Sequence, residues 1–198
     1  MCDRNRNGNI EYYNENAEEF YQTSVEADMS LWRDQFLKYI PDGGRILDAG
    51  CGSGRDCKVF LMRGYSVVAI DASREMCKKA SELLGQEVWQ MKFEEMSFDD
   101  EFDGVWACAS LLHVPGEAME DVLRRIRKGL QQGGFFYASF KYGEGETKKG
   151  ERFFTNYTEE SVAGLFRSNG FRVLECATSM DVRPGREGEK WINTIGVK

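Results

Sequence analysis

Hydrophobic positions along this chain follow two rhythms in turn, one with the period of a helix and one with that of a buried strand. Residues 1 to about 9 are polar and are expected to be disordered. From Asn9 to about Thr23 the aromatics Tyr12, Tyr13, Phe20 and Tyr21 fall near one side of a helix. Ser24 can cap a second helix, which carries Met29, Trp32, Phe36, Leu37 and Ile40 at helical spacing. Pro41-Asp42-Gly43-Gly44 ends it. These helices suit a cap over residues 1–42, with their aromatics either in the core or forming a lid.

A short apolar strand at Ile46-Leu47 then opens a regular series. A glycine cluster leads to a helix from Arg55 to Arg63, and a β-branched strand, Ser66 to Ile70, closes on Asp71. Ser73 caps a helix through Leu84. A third strand is expected from Glu87 to Phe93 and a fourth from Phe102 to Ala109. A helix from Pro115 to about Leu130 carries Val122, Leu123, Ile126 and Leu130 on one stripe, and Phe135 to Phe140 is a fifth strand. A charged, glycine-containing loop through Arg152 follows, read as a substrate flap or a flexible surface hairpin. Thr158, with Glu159 and Glu160, starts a helix that ends at Asn169-Gly170. The last two strands, Phe171 to Thr178 and Lys190 to Val197, flank a turn-rich loop and form a hairpin. Helix and strand thus alternate until the final pair, the pattern of an α/β domain over 43–198.

Composition narrows the function. The 198 residues suit one domain with a sizeable core. The net charge of −7 repels phosphate backbones, so a nucleic-acid partner is not expected. The six cysteines form no C-x-x-C pair, and no metal site is expected. The first residues are polar, and no apolar run reaches membrane-spanning length. The expectation is a cytoplasmic protein without a membrane partner, a monomer or dimer, with mostly buried thiols.

The chemistry gathers on Asp48-Ala49-Gly50-Cys51-Gly52-Ser53-Gly54. Glycines between a buried strand and a helix let a ligand lie against the main chain near helix N–H groups, which makes a nucleotide cradle. The plain alternative is a tight turn. A dinucleotide fingerprint needs glycine or alanine three residues after its second glycine, and Arg55 stands there. That argues against a nicotinamide-dependent oxidoreductase. Asp71, 21 residues after Gly50, can accept hydrogen bonds from both hydroxyls of a ribose, or serve as a helix N-terminal carboxylate.

The acid-x-Gly-x-Gly-x-Gly motif resembles the first motif of the class I S-adenosylmethionine (SAM) methyltransferases. Phe102-Asp103-Gly104-Val105-Trp106-Ala107 resembles that family's fourth strand, and Gln131-Gln132-Gly133-Gly134 its Lys-Pro-Gly-Gly turn. The loop is most similar to that of small-molecule members of the tellurite-resistance and thiopurine-like kind. The resemblance implies a Rossmann-like, mostly parallel seven-stranded sheet, ordered 3-2-1-4-5-7-6 with an antiparallel last strand and helices on both faces. It implies methyl transfer from SAM to an O, N, S or chalcogen atom of a small molecule, leaving S-adenosylhomocysteine. A SAM-binding regulator without catalysis is the alternative.

The cofactor site so implied comprises Asp48, Ala49, Gly50, Cys51, Gly52, Gly54 and Arg55, then Asp71, Ala72 and Met76, with Tyr13 reaching in from the lid. Phe93 and Glu94 are expected near adenine, where the family often has Asp, and Ala109 and Ser110 follow the fourth strand. His113, the only histidine, sits beyond that strand as a general base, a pocket-lining group or a loop-closing hydrogen-bond partner. Arg33, Lys141, Tyr142, Arg152 and Arg183 are the expected substrate contacts, with a hint of an anionic substrate from Arg186 as well.

Overall fold

The computed structural model describes residues 2–198, with side chains from residue 8 onward. Three helices precede the sheet: α1 (Cys2–Glu15), α2 (Ala17–Ser24) and α3 (Ser30–Leu37). Then come β1 (Arg45–Ala49), α4 (Arg55–Met62), β2 (Ser66–Asp71), α5 (Arg74–Leu84), β3 (Trp89–Gln90), β4 (Phe102–Ala107) and α6 (Gly116–Gly129). The second half holds β5 (Leu130–Lys141), β6 (Gly145–Lys149), β7 (Arg152–Asn156), α7 (Glu159–Ser168), β8 (Arg172–Met180) and β9 (Lys190–Val197). The main sheet has seven strands in the order β3-β2-β1-β4-β5-β9-β8. Counting only these strands along the chain, the order is 3-2-1-4-5-7-6. β9 alone runs antiparallel to its neighbours. This is the Rossmann-like α/β fold that the sequence pattern and the resemblance imply.

Both faces of the sheet are covered, so its central strands are apolar on both sides. Along β4, Val105 joins the core beneath α6 and α7, while Trp106 joins the core beneath α3 and α4. Trp106 lies 3.8 Å from Tyr137 in a stacked pair, and Phe136 stacks on Phe166 at 4.9 Å on the other face. No described helix is long and apolar enough to cross a membrane.

Several boundaries differ from those read off the chain. The polar start, expected to be disordered, is helical from Cys2; Met1 lies outside the described residues. The helix expected over 9–23 is two helices broken at Asn16, whose side-chain amide donates to the Tyr12 carbonyl at 2.9 Å and competes with the helix ladder. Ser24 caps nothing. It closes α2 by donating to the Phe20 carbonyl at 2.6 Å, and the Asp28 carboxylate, accepting from Ser30 N at 2.8 Å, starts α3. The third strand shrinks to Trp89–Gln90 because the Lys92 N–H goes to the Glu95 carboxylate at 2.8 Å and the chain leaves the sheet. The charged loop after the fifth strand is an ordered two-stranded hairpin, with β6 exposed and Phe153, Phe154 and Thr155 of β7 buried.

What matters for function is where α1 lies. The buried Asn9 amide donates to the Phe153 carbonyl at 3.2 Å and accepts from the Phe153 N–H at 2.8 Å. One turn and a half later, the Asn14 carbonyl oxygen accepts from Ser73 Oγ at 2.7 Å and Glu75 N at 3.2 Å. The helix is thereby pinned to β7 near its middle and to the start of α5 near its C-terminal end, across the carboxyl ends of the strands. Asn9→Ala leaves the Phe153 N–H without its side-chain partner and its carbonyl with His113 alone, so a loss of about 1–3 kcal/mol is expected from urea unfolding. Limited proteolysis should then cut first within α1.

Candidate functional site

The residues from Ala49 to Gly54 turn sharply because their glycines take left-handed angles. Gly50 has φ +82°, and a Cβ there would lie 2.5 Å from Ser110 Cβ. Gly54, at φ +78°, packs against Ala80 of α5, where a Cβ would lie 3.1 Å from its neighbour. Gly52, at φ +55°, is the one of the three whose missing side chain would point across the hollow, towards Phe20 of α2. Four of the loop's amides are spent internally. Gly50 N and Cys51 N both donate to the Ile70 carbonyl at 2.9 Å, and Gly54 N donates to the Cys51 carbonyl at 3.0 Å. Gly52 N donates to Asp71 Oδ2 at 2.9 Å. Asp71 Oδ1 accepts from Ser73 N at 2.8 Å. The three glycine amides and that of Cys51 are therefore not presented together to a phosphate, while Asp71 keeps further lone pairs at the rim.

Behind the loop is a buried charge cluster. Asp56 accepts from Arg33 (2.7 Å), from Arg55 (3.0 and 2.6 Å) and from the Trp106 indole (3.0 Å). Burial alone would raise its pKa, but the Arg55 and Arg33 guanidiniums outweigh it and hold the carboxyl below the usual range. Asp48 nearby meets the opposite fate. Burial first, and then the Asp56 charge, push it up to about 8, and the Cys57 thiol donates to it at 3.0 Å.

In front of the loop lies a cavity of about 290 Å³. Its roof is α1 and α2, where Tyr13 packs edge-on against Phe20 at 4.9 Å. Its far wall contains His113, whose Nδ1 lies 2.8 Å from the Phe153 carbonyl and whose Nε2 lies 2.9 Å from Tyr13 Oη. A carbonyl only accepts, so Nδ1 carries the proton in the neutral ring. Nε2 then presents a lone pair that accepts from the Tyr13 phenol. Burial pushes the imidazole down to about 4, so it is a neutral base near pH 7, and burial raises the Tyr13 phenol. Ala109 holds a left-handed φ of +53°, and its N–H donates to Ser139 Oγ at 2.8 Å. That strained corner turns β4 away beneath the cavity.

Most residues expected from the sequence meet here. Tyr13, Asp48, Gly50, Cys51, Gly52, Arg55, Asp71, Ala72, Met76, Phe93, Glu94, Ala109 and Ser110 all line the cavity. So do His113, Lys141, Arg152 and Arg183. Four others do not. Gly54 is taken up by the α5 contact, and Ala49 is wholly buried, its carbonyl accepting from Ser110 Oγ at 2.6 Å. Arg33 is tied to Asp56 beneath the site rather than reaching a ligand from a lid. Tyr142 follows Lys141 on an extended chain, so the two side chains point to opposite sides. It lies outside, with Lys190 Nζ 3.8 Å from its ring centre.

Residues that the sequence did not suggest also reach the site. Phe154 comes from β7, and Asp181, Trp191 and Asn193 come from the β8–β9 region. Asp181 holds Arg183 through both carboxylate oxygens and accepts from the Trp191 indole at 3.1 Å. Nothing local in the sequence marks these positions, because they arrive through the strand order. Among the described residues no group of three His, Cys, Asp or Glu side chains is disposed to hold a metal.

Comparison with known proteins agrees with this geometry. The methyltransferase domain family matches residues 47–138. The 2-methyl-6-phytyl-1,4-hydroquinone methyltransferase of Synechocystis sp. is 30% identical over 122 residues, which is 57% of this chain and 38% of that protein. The chain spans less than two thirds of the first curated relatives that it matches. Among solved structures, the Burkholderia thailandensis 1,6-didemethyltoxoflavin-N1-methyltransferase, with S-adenosylhomocysteine bound, aligns with a TM-score of 0.78 at 21% identity, covering 98% of this chain and 86% of that one. The Synechocystis magnesium protoporphyrin IX methyltransferase aligns at 0.73 and 15%, covering 98% and 99%. These structural likenesses are ones of fold.

The two shifted groups give a pH signature. Folded Asp48 stays protonated up to about 8, whereas the unfolded chain releases that proton above about 4, so stability falls as pH rises between the two. His113 acts in reverse. The unfolded chain protonates it below about 6.5 and the fold resists until about 4, so stability falls as pH drops through that window. The slopes oppose each other there, and only Asp48 acts from about 6.5 to 8. Urea unfolding of the wild type should lose up to about 1.4 kcal/mol per pH unit over that upper interval, and Asp48→Asn should flatten it.

Proposed function

We propose, from the premise that this chain carries a class I SAM-dependent methyltransferase domain, that it transfers a methyl group to a small-molecule nucleophile. The supporting observation is the rim of the glycine loop. Amides turned inward suit a nucleoside without phosphates, and Asp71 stands where a ribose diol can be held. Gly52 leaves the space above the backbone that an aminoacyl chain needs. Phe93 and Glu94 line the side suited to adenine. When bound, SAM supplies a methyl group on a positively charged sulfur that needs no further activation.

The chain's own work is then alignment, water exclusion and proton removal. Tyr13, Phe20 and α1 roof the cavity, which shortens the search for an in-line approach and keeps water out. A protonated acceptor atom must lose its proton as it gains the methyl. Tyr13 Oη takes that proton while the phenol's own passes to His113 Nε2, and the Phe153 carbonyl holds the ring in the tautomer that can receive it. The names of the relatives point to small molecules, and a small acceptor fits the cavity's size.

Calorimetry should show SAM and S-adenosylhomocysteine binding in the micromolar range. Folded wild type that takes up neither would sink the reading. Asp71→Ala should weaken S-adenosylhomocysteine by at least about tenfold. His113→Asn keeps a donor towards Phe153, so it should bind the cofactor normally yet lower turnover about 100-fold on a protonated acceptor.

A further inference from the structure

Four cationic side chains line the far side of the cavity, and three of them already have a carboxylate partner. Lys141 Nζ lies 2.7 Å from Glu189, and Arg186 lies 3.8 Å from the same carboxylate. Arg183 is paired with Asp181 at 2.5 Å. Arg152 differs. Among the described residues no carboxylate lies within ion-pair distance of it, and its Nε is fully buried without a hydrogen-bond partner. Its guanidinium carbon sits 4.6 Å from the Tyr12 ring centre and 5.5 Å from that of Phe154. Ring faces attract a cation but do not replace the hydrogen bonds it gave up on leaving water. A half-buried guanidinium in a cavity wall, with no carboxylate partner and a buried Nε left unpaired, is a fork matched in shape to a carboxylate.

We infer that the methyl acceptor is a compact organic acid whose carboxylate is anchored by Arg152. This rests on the methyltransferase reading of the site. The guanidinium lies beside the Tyr13 phenol, whose pKa burial raises and Arg152 pulls back only in part, and that phenol is 2.9 Å from His113 Nε2. The anchor and the proton acceptor are thus one side chain apart, close enough to serve two groups of one small molecule. A carboxylate held by Arg152 is a weakened nucleophile, so the methylated atom is a separate hydroxyl or amine presented to Tyr13. Asn9 holds β7 against α1 and so keeps Arg152 in place.

The test is calorimetric titration of matched acids and amides (benzoate and benzamide, lactate and lactamide) into protein saturated with S-adenosylhomocysteine. At least one acid should bind more tightly than its amide by about tenfold or more. In Arg152→Gln that preference should fall to about twofold or less, with affinity for S-adenosylhomocysteine unchanged. Arg152→Lys, which keeps the charge but loses the fork, should fall between them. Three outcomes overturn the inference: equal binding of acid and amide, no binding of either acid, or loss of S-adenosylhomocysteine affinity in the Arg152 variants. The last would assign the guanidinium to the cofactor. Wild type that does not bind S-adenosylhomocysteine overturns the methyltransferase reading itself, a separate result.

Discussion

The hydrogen bonds that the Asp71 carboxylate accepts from Gly52 N and Ser73 N hold the site together. They join the end of β2, the glycine loop and the first turn of α5 through one side chain. A carboxylate is suited to this because each oxygen has two lone pairs, so backbone N–H groups can fix its position without exhausting it. Burial raises its pKa, and the backbone donors work against that shift. The carboxylate at the rim of the cavity is therefore set in place by the same bonds that close the loop.

A second carboxylate does comparable work below the loop. Asp56 binds α3 through Arg33, its own helix through Arg55, and β4 through Trp106. Two guanidiniums on one buried carboxylate leave the cluster with excess positive charge, and breaking either pair strands an ion in a low-dielectric interior. The cap helices are thus locked to the sheet by electrostatics as well as by the Phe36 and Trp106 rings, 5.3 Å apart. The neighbouring Asp48 holds its proton up to about 8, because burial outweighs the pull of the Arg55 charge.

The cavity's two halves have different origins. The half proposed for the cofactor is built from the glycine loop, the end of β2 and the turns after β3 and β4, all short connections at the carboxyl edge of parallel strands, where crevices form. The half proposed for the acceptor is built from α1, the β6–β7 hairpin and the β8–β9 region. His113 sits at the junction, one ring nitrogen facing β7 and the other facing α1. Variation in those late and early segments changes the acceptor without touching the cofactor half, which is how one fold serves many substrates.

The local sequence determined the elements and the glycine-loop wall of the cavity. Alternating periodicity foretold the parallel sheet, and glycine spacing with Arg55 in the third position separated this loop from a dinucleotide fingerprint. Those signals are legible because each depends on neighbours within a few residues: a helix stripe, a β-branched run, a backbone angle only glycine takes readily. The third strand's early end and the break at Asn16 were less legible, because side-chain bonds to the backbone overrode periodicity there. What only the tertiary structure decided is which charges are free. Arg33, Lys141, Arg152 and Arg183 read alike as candidate anion contacts, yet Asp56, Glu189 and Asp181 claim all but one. Those partners stand 23, 48 and 2 residues away along the chain. Charge pairing in a buried site depends on distance in space and on desolvation, and neither is written in the spacing of residues.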